Sequence, residues 1–238
     1  MIYALLLFAY INIPAGTYTV GEKGHVRKVH ITGFKIANTE LTNASFEKFV
    51  LATGYVTDAE KFKNAMVFVP GLAEFRWLED STAYWRYPNG VSRGGIEQKM
   101  DHPVTTISYH DAQAYCAWAK VRLPTLDEWE IASRVGNTFP GNIWHGRDHL
   151  QADNSDGFMY TSPVGSFQPN AIGLYDLFGN VFEFCSGALP GDGKNVVHAR
   201  GGSWWCSKNA CSFFNATDIG RVQMRASFSN QGFRVVKR

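Results

Sequence analysis

The sequence predicts one α+β domain with few short helices and strands and a large share of irregular chain. Short β-branched runs joined by glycine turns open the chain, and three segments with helix caps follow. After Gly136 almost no long regular segment is visible, and Gly, Asn, Asp and Ser are frequent. At 238 residues the chain is near the upper limit of what one hydrophobic core serves, so we treat residues 1–238 as a single domain.

The composition limits the classes of partner. Hydrophobic residues make up 45% of the chain and charged residues 18%, which indicates a globular protein and not a disordered one. The formal net charge is +2, and the basic residues are scattered without a run of five or more. We therefore expect neither nucleic acid nor an anionic membrane as a partner.

The N-terminal segment has two interpretations. The stretch M-I-Y-A-L-L-L-F-A-Y-I resembles the apolar part of a signal peptide, but a basic leader and a small-residue cleavage site are missing. It is too short to cross a bilayer, so we expect no membrane span. The alternative is a strand that continues into I-N-I-P-A-G, and the compartment stays open. From Ile11 to Phe34, β-branched runs that alternate with Gly-containing turns predict further strands.

Three segments carry the signals of helices. The first spans Asn43 to Thr53, where Thr42 can cap the start and a glycine follows the end. The second spans Ser108 to Ala119 and begins with a capping serine. The third begins at Thr125, because T-L-D-E followed by tryptophan is a capping box, and it ends at Val135-Gly136.

Two regions lack periodicity. Between about residues 61 and 100 no period of strand or helix persists, and the many aromatic residues predict a long packed loop. The second region is the roughly one hundred residues that follow Gly136. Chain of this length without hydrogen-bonded ladders must be fixed by other means, and side-chain networks or bound ions are the usual ones.

Several blocks of the chain resemble the formylglycine-generating enzyme, or sulfatase-modifying factor, family. These blocks are N-T-E-L-T-N-A-S-F-E-K-F-V from Asn38, Y-W-R-Y-P-N-G from Tyr84, H-P-V-T-T-I-S-Y-H-D-A-Q-A-Y-C-A-W-A-K-V-R-L-P-T-L-D-E-W-E from His102, P-V-G-S-F-Q-P-N-A-I-G-L-Y-D-L-F-G-N-V-F-E-F from Pro163, R-G-G-S-W-W-C from Arg200 and G-F-R from Gly232. Their order, and their coverage from about Ile11 to Arg238, carry the resemblance. It implies an irregular variant of the C-type-lectin fold, which agrees with the irregular second half of the chain.

The resemblance implies a pair of active-site cysteines. Catalytic members carry two cysteines separated by four residues after G-G-S, and R-G-G-S-W-W-C-S-K-N-A-C places this pair on Cys206 and Cys211. Two soft thiolates favour Cu(I), and a two-coordinate ion leaves room for the thiol of a substrate. Ser203 matches the family's active-site serine. The alternatives are a structural disulfide or two buried free thiols, because i,i+5 pairs in a loop can form a bridge.

The implied activity is that of a copper-dependent oxidase. In the family a peptide cysteine joins the copper, dioxygen is activated at the metal, and the cysteine side chain becomes the aldehyde of formylglycine. The partner would be a cysteine-containing, sulfatase-like peptide or a related thiol, and we expect the chain to be a monomer. A non-catalytic binding or structural module of the same family is the main alternative. The iron-dependent, sulfoxide-forming branch is a third, but its histidine cluster is not found in this sequence.

Two loop clusters match the calcium sites of the family. The first set comprises the side chains of Asn142 and Asp156 and the carbonyls of Ile143 and Phe158. The second set comprises the side chains of Asp176 and Glu183 and the carbonyls of Gly179 and Val181. A hard cation such as Ca²⁺ takes several oxygens, both carboxylate and carbonyl, which these sets supply. The alternative is that these residues only form turns through local side-chain to backbone bonds.

Three positions depart from the sulfatase-activating members. The residue after the first cysteine, commonly His, is Ser207, and two downstream arginines are replaced by Asn215 and Ile219. If these residues line the pocket, positioned hydrogen-bond donors and positive charges are lost from it. We therefore expect a peptide with the sulfatase consensus C-x-P-x-R to react more weakly here than with a typical member.

Overall fold

The computed structural model describes residues 9–22, 24–136, 141–151, 153–209 and 211–237. None of the described elements is longer than 11 residues. The strands are β1 (Tyr10–Ile13), β2 (Gly16–Val20), β3 (Arg27–Ile31), β4 (Phe34–Ala37), β5 (Ala65–Val67), β6 (Leu78–Asp80), β7 (Phe182–Cys185), β8 (Val196–Arg200), β9 (Gly220–Gln223), β10 (Gln231–Gly232) and β11 (Val236–Lys237). The helices are α1 (Asn43–Thr53), α2 (Asp58–Phe62), α3 (Tyr109–Ala119) and α4 (Leu126–Ser133), with a 3₁₀ turn at Val91–Arg93. This arrangement confirms the α+β class with few short elements.

The two ends of the described chain meet in one sheet. β4 is its central strand and pairs antiparallel with β1 on one side and with β11 on the other. β2 and β3 form a separate antiparallel hairpin. The predicted N-terminal strands are therefore confirmed from Tyr10 onward. Residues 1–8, which hold most of the signal-peptide-like stretch, lie outside the described residues.

The three predicted helices are confirmed together with their caps. The Thr42 side chain accepts a hydrogen bond from the Ser45 amide at the start of α1, and Gly54 ends this helix with a φ of 67°. Both α3 and α4 begin with a complete capping box. Among the described residues, no helix combines the length and the apolar character that a membrane crossing requires.

Helix α4 ends at Ser133, before the predicted end at Val135-Gly136. The cause is a contact that is distant in sequence. The Arg134 guanidinium donates hydrogen bonds to the Gly21 carbonyl, at 2.6 Å, and to the Glu130 carboxylate, at 2.9 Å. Glu130 also accepts from the Gly21 amide at 2.6 Å. The last turn of α4 is therefore tied to the end of β2, and the chain leaves the helix there.

Two expectations about irregular regions need correction. The stretch from about residue 61 to 100 is not one long loop, since it holds the end of α2, the antiparallel pair β5–β6 and the 3₁₀ turn. These elements have three to five residues each, too few to show a period in the sequence. In the second half, a four-stranded sheet in the order β10-β7-β8-β9 was not predicted. Its strands have two to five residues, so the expectation of no long element there still holds.

Aromatic side chains dominate the interior. One cluster centres on Phe46, Trp85 and Tyr115, between α1 and α3. A second centres on Trp129 of α4 and on the N-terminal sheet. The third, which we call the cysteine cluster, contains Phe68, Trp144, Trp204, Trp205, Cys206 and Cys211. The interior of the fold therefore encloses the predicted cysteine pair in tryptophan and phenylalanine rings.

Candidate active site

Two glycines turn the chain from β8 into the segment that holds the cysteines. Gly201 and Gly202 have φ angles of 92° and 71°, a region that residues with a side chain rarely adopt. A Cβ at Gly201 would also overlap the Leu177 carbonyl oxygen. The glycine pair therefore brings the chain close to its neighbours and delivers Ser203 into the interior, where it is fully buried.

Cys206 and Cys211 are buried and joined by a disulfide, with their Cα atoms 4.5 Å apart. The disulfide is one of the interpretations that the sequence left open. The same contact also fits a two-thiolate metal site, because reduction would leave two sulfur atoms side by side. Two soft donors at one point inside an apolar cluster are the donor set that Cu(I) prefers.

The other two cysteines do not offer a comparable site. Cys116 and Cys185 are free and buried. Burial raises the pKa of the Cys116 thiol to about 12, and it raises the pKa of the Cys185 thiol well above its ordinary value. Because the thiolate is the metal ligand and nucleophile, neither residue is prepared for that chemistry.

Ser203 lies next to the cysteine pair. Its oxygen accepts hydrogen bonds from Asn230 Nδ2, at 3.0 Å, and from the Trp205 amide, at 3.3 Å. Since both neighbours donate, the hydroxyl proton is left for the Cys206 sulfur, which lies 4.0 Å from the serine oxygen. The structure thus brings Ser203 and Cys206 together as predicted. Asn230 was missed by the sequence analysis, although it comes just before the quoted block G-F-R.

A groove of about 270 Å³ adjoins the cysteine pair, and Cys211 forms part of its wall. Six aromatic side chains line it: Phe75, Trp77, Phe182, Trp205, Phe213 and Phe228. Phe75 is 65% exposed and packs edge-to-face on Trp205 with the ring centres 5.2 Å apart. The groove therefore connects the surface at Phe75 with Cys211.

The three departing residues do not line this groove in the described part of the chain. The Ser207 hydroxyl accepts from the Asn209 amide within its own loop. Asn215 accepts from the amides of Thr217 and Asp218, so its side chain closes a turn. Ile219 packs against the core cluster around Trp129. These three residues therefore lie apart from this groove, and the weaker reaction of C-x-P-x-R stays a prediction.

A histidine–carboxylate pair contacts the segment that holds the cysteines. The buried His149 ring places Nδ1 2.5 Å from Glu74 Oε2 and Nε2 2.7 Å from the Trp205 carbonyl oxygen. The carbonyl only accepts, and an ionised carboxylate only accepts as well. His149 Nε2 therefore donates to the Trp205 carbonyl, and Nδ1 is hydrogen-bonded to the Glu74 carboxyl group. His149 also stacks on Trp205 with ring centres 4.1 Å apart.

In the first predicted calcium set, one carboxylate oxygen makes no hydrogen bond in the described chain but faces a histidine. Asp156 Oδ1 accepts from the Phe158 amide at 3.0 Å, which is the local turn bond of the alternative interpretation. Asp156 Oδ2 is buried without a hydrogen-bond partner among the described residues, and His145 Nε2 lies 3.4 Å from it. Asn142 is buried, and its side-chain nitrogen donates to the Tyr160 carbonyl at 2.6 Å and to Asn180 Oδ1 at 3.2 Å. The donor set fits a hard cation, and Ile143 and Phe158 would add their carbonyls.

In the second set, Glu183 does not fit its predicted role as a calcium ligand. Both of its carboxylate oxygens lie 2.6 Å from nitrogens of the Arg234 guanidinium, and Trp129 Nε1 donates to one of them at 2.8 Å. All three side chains are fully buried. The carboxylate is therefore neutralised and hydrogen-bonded within the protein, and a cation would have to compete with a bidentate guanidinium.

Two other carboxyl groups near Arg234 lack such partners. Asp176 Oδ1 and both oxygens of Glu40 are buried without a hydrogen-bond donor from the other described residues, and the two carboxyl groups lie within hydrogen-bond reach of each other. Burial raises the pKa of Asp176. The pKa of Glu40 is raised mainly by burial and, to a smaller extent, by the neighbouring Asp176 carboxylate. Glu40 was missed by the sequence analysis. Glu40 and Asp176, with the carbonyls of Gly179 and Val181 nearby in sequence, fit a hard cation better than Glu183 does.

Short elements around a buried cysteine pair, with a groove beside it, define a dithiol site on an irregular α+β fold. The family model described as "Sulfatase-modifying factor enzyme 1-like domain" matches residues 7–238. The chain belongs to this sulfatase-modifying factor, or formylglycine-generating enzyme, family.

Relatives of this chain include named enzymes and a protein named as inactive. The chain is 35% identical to the formylglycine-generating enzyme of Mus musculus, with 97% of this chain and 75% of that protein covered. It is 34% identical to the inactive C-alpha-formylglycine-generating enzyme 2 of Bos taurus, with 94% and 86% covered. The structure of PvdO from Pseudomonas aeruginosa is similar with a TM-score of 0.68 at 25% identity, over 95% of this chain and 93% of that chain. Activity therefore has to be argued from the site.

Proposed function

We propose that this chain is a copper-dependent oxidase that uses dioxygen to convert a cysteine of a sulfatase-like peptide to formylglycine, or a related thiol to its aldehyde. The substrate sulfur would leave as hydrogen sulfide, and an added thiol reductant would supply the two further electrons that reduce dioxygen to water. The observation that carries the proposal is the contact of Cys206 with Cys211 at the end of a groove that reaches the surface. The name of the Mus musculus relative supports the reaction class. The disulfide is then the oxidised resting form of the metal-binding pair.

Each residue of the site would have a distinct role. Bound Cu(I) would supply dioxygen activation and a coordination position for the substrate thiol. Cys206 and Cys211 would hold the ion as thiolates after reduction of the disulfide. The Ser203 hydroxyl, oriented by Asn230, can donate its proton to sulfur at Cys206. The surrounding rings of the cysteine cluster, together with a substrate that fills the groove, would keep water from the sulfur atoms.

A non-catalytic role is the second candidate, and one specific observation favours it. A relative that is named as inactive is nearly as similar to this chain as the named enzymes are. In such a protein Cys206 and Cys211 would serve only as a structural disulfide. The two candidates differ in whether the reduced pair binds copper tightly.

Titration of reduced protein with Cu(I) against a competing chelator tests the metal site. We expect one equivalent to bind per chain, and we expect Cys206→Ser and Cys211→Ser to abolish this binding. Cys116→Ser is the matched control, because this buried thiol lies outside the cysteine cluster and should leave the affinity unchanged. Unchanged affinity in both of the first two variants would overturn the copper assignment.

We further propose that calcium binds at the two carboxylate sites and stabilises the fold. The supporting observation is that Glu40, Asp156 and Asp176 each have a buried oxygen without a hydrogen bond among the described residues, although His145 Nε2 lies 3.4 Å from that of Asp156. Binding to the native state alone adds about 2.7 kcal/mol at a hundredfold excess of ligand over its Kd. A chelator should therefore lower the Tm of the protein measured in calcium.

The variant that tests calcium best is Asp176→Asn. It removes one proposed charge and should reduce the response of the Tm to calcium, while Asp153→Asn on an exposed turn should keep the full response. Glu183→Gln is unsuitable, because it also breaks the ion pair with Arg234. A Tm that neither chelator nor Asp176→Asn moves would mean that these loops are held by turns alone.

A further inference from the structure

The groove beside Cys211 has a marked chemical character. Besides its six aromatic side chains, Ala199, Gly220 and Val222 contribute to the wall. Its volume of about 270 Å³ lies just below the range typical of sites for whole small molecules. Such a space fits one large side chain of a peptide together with a short piece of its main chain.

The charges around the groove disfavour a cationic occupant. Among the described residues that line it, Arg221 is the charged one, and its side chain is 58% exposed. The carboxylate paired with it, Asp192, already accepts from the Leu189 amide at 2.5 Å and lies 3.1 Å from His198 Nε2. An arginine of a substrate would therefore meet a like charge and find no free carboxylate. Burying a guanidinium without a partner is costly.

Two polar groups of the wall lack a partner. Trp205 and Gln231 are both more than nine-tenths buried, and each lines the groove. Trp205 Nε1, a donor, and Gln231 Oε1, an acceptor, have no hydrogen-bond partner among the described residues. Both atoms are covered by the surrounding protein, so neither offers a hydrogen bond to the charged end of an arginine in the groove.

We infer that this groove binds a residue flanking the substrate cysteine and selects an uncharged aromatic or branched apolar side chain over arginine. The inference rests on the proposed function, because Cys211 is what places the reacting cysteine beside the groove. The substrate class is thus a cysteine peptide with an apolar neighbour, which the aromatic rings of the groove would hold. This differs from the arginine-bearing consensus C-x-P-x-R.

The first experiment uses peptides with one cysteine in which each flanking position in turn carries Phe, Leu or Arg. At one position we expect Phe or Leu to be favoured over Arg by about tenfold to a hundredfold, the factor that burial of one large apolar side chain provides. Two readouts are needed. The first is the Kd of the reduced protein for the same peptides with serine in place of cysteine. The second is kcat/KM for aldehyde formation by the copper-loaded protein.

The two readouts separate this inference from the proposed function. Preferential binding of the Phe peptide without any aldehyde would support the groove assignment and count against the oxidase. Aldehyde formation with equal kcat/KM for Phe and Arg at every position would support the oxidase and overturn the groove assignment. Equal Kd values for all peptides would overturn it as well.

Two variants test the groove itself. Gly220→Leu should fill it and weaken binding of the Phe peptide at least tenfold. A Cβ at Gly220 would make only ordinary contacts of 3.5 Å or more, so the fold should tolerate the change. Gly193→Leu is the matched control, since its nearest contact is 3.6 Å and it lies outside the groove. Arg221→Glu should shift the preference toward the Arg peptide, and no shift would contradict the charge argument.

Discussion

Arg234 is the residue whose loss we expect to destabilise the fold most. Its fully buried guanidinium binds both oxygens of Glu183 at 2.6 Å and donates to the Tyr175 carbonyl at 2.8 Å. Although burial alone would lower the pKa of Arg234, the Glu183 carboxylate outweighs this effect and the pKa is raised. Glu40 and Asp176 also lie in its field, so one guanidinium faces three buried carboxyl groups. Through these contacts Arg234 joins its own C-terminal segment to strand β7, which holds Glu183, and to the loop that holds Tyr175.

The expected cost of Arg234→Met follows from that geometry. Removing one partner of a buried ion pair costs about 3–5 kcal/mol, because the other charge stays buried without compensation. For a protein of this size the Tm changes by about 2–4 °C per kcal/mol, so we expect a fall of roughly 6–20 °C. Methionine keeps much of the side-chain volume, which limits the contribution of a cavity.

Thermal and urea unfolding at pH 7, with chelator present, measure this cost. Arg27→Met is the control, because Arg27 is 58% exposed and its ion pair with Asp127 lies on the surface. The control should change the free energy of unfolding by less than about 1 kcal/mol. If Arg234→Met shifted the Tm no more than Arg27→Met does, the buried pair would not contribute as we reason.

Two further predictions concern buried titratable groups. The pKa of Glu40 in the folded protein is raised above its ordinary value of 4.5. The protonated Glu40 side chain therefore contributes fully to stability below pH 4.5, and this contribution is lost as the pH rises through the folded-state pKa. In chelator, Glu40→Gln should therefore raise the Tm at pH 7 and flatten its decline above pH 4.5, whereas an unchanged profile would mean that the pKa of Glu40 is not raised. Glu74→Ala should lower the free energy of unfolding by about 1–3 kcal/mol in urea, because a nitrogen of buried His149 loses its partner. A change no larger than that of an exposed Glu79→Ala control would contradict the role of this pair.

The features that the sequence predicted are those set by neighbouring residues. Helix α1 begins after Thr42 and ends before Gly54 because each cap bonds within its own turn. The pair Cys206 and Cys211 follows from a local segment in the same way. The strands β5 and β6 were not predicted, because a strand of three residues is too short to show a hydrophobic period. Their pairing also depends on the rest of the fold.

The features that sequence reasoning missed depend on contacts between distant residues. Glu183 matched a calcium position, but its partner Arg234 is 51 residues away and takes both carboxylate oxygens. Glu74 and His149 are 75 residues apart, so no local pattern joins them. Glu40 belongs to a strongly matched block, yet only the fold places its carboxyl beside Asp176. Copper and calcium themselves stay predictions, for which the cysteine pair and the unpartnered oxygens are the structural support.

Aldehyde formation is the measurement that tests the central claim most directly. Reduced, copper-loaded protein is incubated with dioxygen and cysteine peptides, and mass spectrometry follows the loss of the thiol and the appearance of the aldehyde. The account predicts formylglycine with the wild-type chain, and none with Cys206→Ser or Cys211→Ser. Tight copper binding without aldehyde from any thiol peptide, or equal turnover by the two cysteine variants, would contradict it.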